Sequence, residues 1–263
     1  MGGWGVVTRF VSTSIALALV LAAACSQTAA RERSGTPSAS RPRDEAPLVE
    51  TAPATPSQSD APKELEPPRF DGGVYRISPA LRRSLVGQSW HRGCPVPIED
   101  LRHVRVSYWN FHGEVSTGPL VVNEMVARDV LWVFRQLFRA RFPIQRIVLP
   151  PRWRPARPED YWNRNPTSPT AAFNCRPATG STSLSHHSYG WAIDINPLQN
   201  PYVRNDGSVL RHIAKPFRDR SLHRKGMIHD GDVVVRSFAA IGWEWGGHWH
   251  TLKDYMHFSL TGR

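Results

Sequence analysis

Lysine is scarce in this sequence. Of 33 basic residues only four are lysine (Lys63, Lys215, Lys225 and Lys253), set against 22 acidic residues and a net charge of +11. The positive charge is therefore carried by arginine, whose planar fork of donors suits carboxylate and phosphate partners better than a point-like ammonium does. Cysteine is scarcer still, with three in 263 residues, and the spacing of Cys25, Cys94 and Cys175 excludes a C-x-x-C metal site. Other absences remove whole mechanisms. Without H-E-x-x-H there is no thermolysin-like zinc site, and no glycine-rich phosphate loop is present. Without S-x-x-K or G-x-S-x-G, the serine mechanisms of penicillin-binding proteins and α/β-hydrolases have no nucleophile. Past residue 25 no run reaches the roughly 18 apolar residues of a membrane span. Large hydrophobic residues are not lacking: 40% hydrophobic and 21% charged content excludes global disorder.

The charge is unevenly placed. Residues 1–68 hold 6 basic and 7 acidic residues, a net −1, so residues 69–263 hold 27 and 15, a net +12. The N-terminal part divides further. Arg9 precedes a nearly unbroken apolar run from Phe10 to Ala24, interrupted only by Ser12, Thr13 and Ser14. That pattern predicts a signal peptide over 1–25 rather than a spanning helix. Leu21-Ala22-Ala23-Ala24-Cys25 resembles a bacterial lipoprotein cleavage site, although Leu21 stands four residues before the cysteine rather than three. It implies lipidation at Cys25, the alternative being an ordinary signal peptide. Residues 26–68 are rich in Pro, Ala, Ser and Thr with few large apolar residues, and read as a disordered tether. The expected product is exported, and held by lipid alone on the outer face of the cytoplasmic membrane or in the cell wall. One domain is left, 69–263. An oxidising compartment then favours a Cys94–Cys175 disulfide, the alternative being two buried thiols.

Within that domain Val104–Phe111 reads as a strand, His112-Gly113 as a turn, and Leu120–Val122 as the hairpin partner. Asn123 can cap a helix from Glu124 to Arg141, with Val126, Val130, Phe134, Leu137 and Phe138 at helical spacing and Pro143 after it. Ile144–Leu149 is expected to be a strand, Pro150–Thr170 a loop, and Tyr189–Ile195 a strand. Asn200–Asp230 is a basic excursion too long for a passive connection. Asp232 can cap a helix through Ile241, and Tyr255–Leu260 is the last expected strand. Strands and helices do not alternate regularly. The expected class is α+β, an antiparallel sheet with flanking helices.

Chemistry-bearing residues gather in two stretches: Ser185-His-His-Ser-Tyr-Gly-Trp-Ala-Ile-Asp194, and Trp243-Glu-Trp-Gly-Gly-His-Trp249 followed by Asp254-Tyr-Met-His257. Two imidazoles and a carboxylate from separate segments can hold zinc with one position open. A further carboxylate can act as general base toward water. Asp254 and His257 are three apart and would point apart on a straight strand, so a bend is expected just before Tyr255. Residue by residue, the plainer reading is that such His and Asp residues are hydrogen-bonded structural groups and that Trp243, Trp245 and Trp249 pack a core.

Taken together the stretches are more specific. Ser185, His187, Gly190, Ala192 and Asp194 match S-x-H-x-x-G-x-A-x-D at every specified position, and the second stretch resembles a Trp-Gly-Gly-x-Trp segment closing on D-x-x-H. Over roughly 85–263 the chain resembles the zinc D-alanyl-D-alanine carboxypeptidase family, which includes endolysin L-alanyl-D-glutamate peptidases and shares its fold with the Hedgehog signalling domain. Phe173–Pro177 and Asp194–Pro197 resemble a bacterial carboxypeptidase-like branch. The resemblance implies zinc (Zn2+) on His187, Asp194 and His257, with Asp254 as the base. Carboxypeptidases of the family usually carry glutamate there, and the endolysin-like branch carries aspartate, as here. Spacing favours His187 over His186 as ligand. Arg176 is the candidate for a substrate carboxylate or developing oxyanion, with a structural arginine as its alternative. Ser185 and Trp249 are candidates for touching substrate; Ser185 alternatively shapes its turn. His248 and His250 could donate to the oxyanion or simply be solvated.

The expected function is hydrolysis of peptidoglycan stem peptides through activated water. The alternative is a non-catalytic, zinc-containing cell-wall binding module. A nucleic-acid partner is suggested by basicity alone and finds no motif.

Overall fold

The computed structural model describes residues 66–150 and 169–262, which lie within one unit, Lys63–Arg263. The signal peptide, Cys25, nearly all of the 26–68 tether and most of the Pro150–Thr170 loop lie outside the described residues.

Two elements that sequence periodicity left unread come first: β1 (Gly73–Arg76) and the short helix α1 (Pro79–Leu85). Ser78 caps α1, its Oγ accepting from the Leu81 amide, and Pro79 supplies a first helical position that needs no N–H. The expected hairpin follows as β2 (Leu101–Trp109) and β3 (Val115–Asn123), in register from Leu101 opposite Asn123 to Trp109 opposite Val115. Asn110 closes its turn, Oδ1 accepting from the amides of His112 and Glu114. Asn123 caps a short 3-10 turn, Glu124–Val126, that leads into α2 (Ala127–Arg139). The α2 stripe of Val130, Val133, Phe134 and Leu137 is buried against Val104, Val106, Leu120 and Val122 of the sheet. Each such side chain contributes about 1.5–3 kcal/mol on burial.

The second half holds β4 (Ala192–Asp194), β5 (Tyr202–Val203), α3 (Val233–Ala240), β6 (Glu244–Trp245), β7 (Lys253–Asp254) and β8 (His257–Ser259). Asp232 caps α3 through Oδ1, which accepts from the amides of Val234 and Val235. The fold is α+β with antiparallel pairing throughout its sheets, as expected. The strands are shared among three small sheets, β1-β2-β3, β4-β8-β6 and β5-β7, rather than one.

Three expectations need correction. Ile144–Leu149 is not a strand and makes only isolated bridges. Its amides are taken one at a time by the Trp109 carbonyl, Asn196 Oδ1 and Tyr108 Oη, so no ladder can form. Tyr189 does not begin a strand: it ends a 3-10 turn, His186–Tyr189, and pairing starts at Ala192. The last strand is cut to His257–Ser259 by a turn at Tyr255–Met256, which is the bend that Asp254 and His257 require. The 200–230 excursion is anchored by a buried amide. Asn200 Oδ1 accepts from Arg220 and the Ile228 amide, while its Nδ2 donates to the Gly226 carbonyl. Cys94 and Cys175 form the expected disulfide, 81 residues apart, beside a second apolar cluster of Leu85, Ile98, Leu101, Val121 and Phe173.

Candidate active site

Each member of the S-x-H-x-x-G-x-A-x-D motif has a backbone task. Ser185 Oγ accepts from the His187 amide and so opens the 3-10 turn that carries the imidazole. Gly190 ends that turn at φ 70°, and a Cβ there would lie 2.4 Å from the Asn123 amide nitrogen. Only glycine meets both conditions. Ala192 is fully buried at the start of β4, and two residues on, Asp194 stands opposite His257 in the β4–β8 register. The Trp-Gly-Gly segment is constrained in the same way. A Cβ on Gly246 would fall 2.5 Å from the Asp254 carbonyl, and one on Gly247 2.4 Å from the Trp245 ring. Trp243 and Trp245 are core residues, as their plainer reading holds.

His187, Asp194 and His257 meet, with their ligand atoms within 4.8 Å of one another. Asp194 Oδ1 lies 3.2 Å from His187 Nε2 and 3.1 Å from His257 Nδ1. The other nitrogen of His187, Nδ1, is 2.6 Å from the Ala172 carbonyl oxygen. That carbonyl can only accept, so Nδ1 carries a proton and Nε2 is the nitrogen turned toward Asp194. A carboxylate oxygen 3.2 Å from that nitrogen calls for a proton or a cation between them. His257 Nε2 is buried with no hydrogen-bond partner. A donor set of two imidazoles and one carboxylate suits zinc. On these grounds the residues fit a divalent metal. His91, Cys94 and Cys175 also converge, but the two sulfurs are consumed by the disulfide.

These three groups line a cleft of about 660 Å³ together with Asp254, Arg176, Ser185 and Trp249, so every residue singled out from the sequence for this chemistry is brought to one place. Asp254 Oδ1 is buried without a hydrogen-bond partner. Burial pushes the Asp254 carboxyl up to about 7, assisted by the charge of Asp194 and opposed by His257 and Arg176. Asp194 has the opposite fate. Burial disfavours its charge, yet His187 and then His257 outweigh that and hold the carboxyl well below the usual range. Burial lowers the pKa of the Arg176 guanidinium against the pull of Asp194 and Asp254. One Arg176 nitrogen donates to the Pro177 carbonyl while Nε is buried without a partner, leaving donors for a ligand in the cleft. Trp249 is half-buried, its ring 5.5 Å from that of His257. His186 also lines the cleft but turns to Thr261 Oγ1 at 2.8 Å, apart from the ligand group.

Sequence reasoning missed three contributors. The Ala172 carbonyl cannot be foreseen because any residue type presents one. Tyr202 lies opposite Asp254 in the β5–β7 pair and reaches the cleft. Asp230 holds exposed His248, Oδ1 to Nε2 2.8 Å, on the cleft wall. The only sequence signal for it was a carboxylate at the end of the basic excursion.

A carboxyl with a raised pKa beside a two-histidine, one-aspartate cluster, set on antiparallel strands, is an arrangement that can activate water for hydrolysis. Residues 179–260 match the family described as D-alanyl-D-alanine carboxypeptidase. The chain is similar to the peptidoglycan L-alanyl-D-glutamate endopeptidase CwlK of Bacillus subtilis (strain 168), with 36% identity over 76 residues, 29% of this chain and 39% of that relative. The chain thus spans well under half the length of that relative. No solved structure gives a significant match.

Proposed function

We propose that the domain is a zinc-dependent peptidase that hydrolyses peptidoglycan stem peptides, either as a D-alanyl-D-alanine carboxypeptidase or as an L-alanyl-D-glutamate endopeptidase. The observation that carries this reading is the convergence of His187, Asp194 and His257 with a protonatable Asp254 in one cleft. The family description and the name of the Bacillus relative support a peptide substrate in the wall. His187, Asp194 and His257 would hold the metal. Zinc, when bound, supplies Lewis-acid polarisation of a carbonyl and acidifies water to a pKa of roughly 7.

The protein's own residues do the rest. Asp254, through its unpartnered Oδ1, takes the proton of the attacking water and returns it to the leaving amine. Arg176 donates to a substrate carboxylate or to the developing oxyanion from a position where burial strengthens the interaction. Trp249 packs beside His257 and offers an apolar wall to the substrate. Ser185 holds the His187 turn with its hydroxyl. The protein is exported and anchored through Cys25, and its tether lets the domain reach the wall.

Incubation with muropeptides, with and without chelator, tests the enzyme by mass spectrometry. Loss of one D-alanine identifies a carboxypeptidase, and cleavage between L-alanine and D-glutamate an endopeptidase. No product from protein carrying one zinc per chain would overturn the catalytic reading and leave a wall-binding module. Cys25→Ser should release the protein from membranes, and unchanged retention would exclude lipidation.

A further inference from the structure

A second groove, of about 480 Å³, shares no lining residue with the cleft. It lies beside the C-terminal end of α2 and is walled by arginines and aromatic rings. The Arg135 guanidinium sits 5.4 Å over the Phe70 ring, and that of Arg141 sits 4.9 Å over Trp109. Trp109 is itself fixed, stacked on Phe138 at 5.7 Å with Nε1 donating to the Phe138 carbonyl. Stacking orients guanidinium planes without using their N–H donors. Arg139 and Arg69 complete the set. Exposed Glu66 accepts from Arg69 at 2.8 Å, but among the described residues no carboxylate pairs with Arg135, Arg139 or Arg141.

The backbone at Arg141 adds an independent observation. α2 closes with the Phe142 amide donating to the Leu137 carbonyl (2.9 Å) and the Arg141 amide to the Phe138 carbonyl (3.0 Å). This paired closure places Arg141 just past the cap at φ 53°, a conformation that glycine adopts with least strain. Only Asn196 is a second such non-glycine residue among the described ones, and its side chain is engaged by the Gln145 amide and the Pro143 and Gly226 carbonyls. The helix dipole accounts for a basic residue in the last turn, Arg139. It does not account for an arginine where the fold favours glycine. Strain of this kind, held at a surface, signals a task for the side chain.

The geometry points to a binding site for phosphodiester groups, whose partner is a phosphodiester-linked polyanion of the cell wall. Several guanidinium forks converge on one groove, and the non-bridging oxygens of a phosphodiester accept from more than one of them. A groove admits a polymer strand. A lipid surface would call for rings that project, whereas Phe138 is buried and Phe70 and Trp109 are half-buried. The wall as source rests on the exported reading above; the phosphate chemistry does not.

The test is direct binding of a synthetic poly(glycerol phosphate) to the purified chain by calorimetry, apart from any peptidase assay. With three or four phosphates neutralised, affinity should fall roughly 20- to 50-fold between about 50 and 200 mM salt. Arg139→Gln and Arg141→Gly should each weaken binding about tenfold. Hydrolysis of a small soluble muropeptide should be unchanged in both. Arg141→Gly should also unfold at the same or a higher temperature, because it relieves the positive φ. A lower melting temperature with unchanged polymer binding would assign Arg141 to the fold and overturn the site. Salt-independent binding, or binding indifferent to both variants, would do the same. Tighter capture of phosphatidylglycerol vesicles, or of an oligonucleotide or polyglutamate of equal charge, would overturn the partner. Failure of the peptidase assay alone would leave these results standing.

Discussion

Asp254 has the environment of a proton carrier: a buried carboxyl, one oxygen without a partner, and a pKa raised to about 7. Asp254→Asn keeps the shape and removes the proton exchange. It should retain one metal per chain and lower turnover by about 10²- to 10⁴-fold. Metal content by mass spectrometry alongside a turnover assay checks both halves. Full activity in the variant would remove Asp254 from the chemistry. The same shift has a stability consequence in metal-free protein. The folded carboxyl at about 7 binds its proton more tightly than an unfolded aspartate at 3.8, so over that window the unfolded state holds fewer protons. Stability must therefore fall as pH rises from about 4 to about 7 and level off above it. Urea unfolding of chelated protein at about pH 5 and pH 8 should show this loss, and Asp254→Asn should reduce it. An equal loss in the variant would place its source elsewhere.

At the scale of elements, the site depends on short turns that set two strands against each other. The 3-10 turn His186–Tyr189 delivers His187, and Gly190 lets it end against Asn123. Gly190→Ala combines a left-handed residue with a Cβ 2.4 Å from a backbone nitrogen. It should cost about 2 kcal/mol or more in stability and weaken metal binding, because the turn must move. Thermal melts and metal titration read the two effects separately. Unchanged values in both would mean that the turn adapts. The hairpin, α2 and α3 could be read in the sequence from their periodicity and from the caps Asn123 and Asp232. Ile144–Leu149 misled because apolar content alone does not reveal whether a partner strand is free to pair. β6 and β7 escaped notice because two-residue strands leave no period to detect.

For the whole domain, the disulfide closes 81 residues and joins the segment after α1 to the segment carrying Arg176. Chain entropy assigns that closure about 4 to 5 kcal/mol. Reduction should lower the melting temperature. It should also loosen Arg176, next in sequence to Cys175, and so raise KM more than it lowers kcat. The bound metal should stabilise by mass action, so chelator lowers the melting temperature and added zinc restores it. A melting temperature indifferent to chelator would argue that His187, Asp194 and His257 hold no metal.

The sequence by itself determined the α+β class, the two caps, the cysteine pair and the motif residues of the cleft. Each rests on local chemistry or on spacing that a one-dimensional pattern preserves. The arginine excess, legible as a net +12 over 69–263, was not legible as a surface. Tertiary structure decided the rest. It set Asp194 opposite His257, turned His187 through the Ala172 carbonyl, joined Asp230 to His248 and gathered four arginines along one groove. These pairings link residues far apart in the chain through backbone groups and angles. Side-chain identity does not encode such contacts, and only the packed fold brings them within reach.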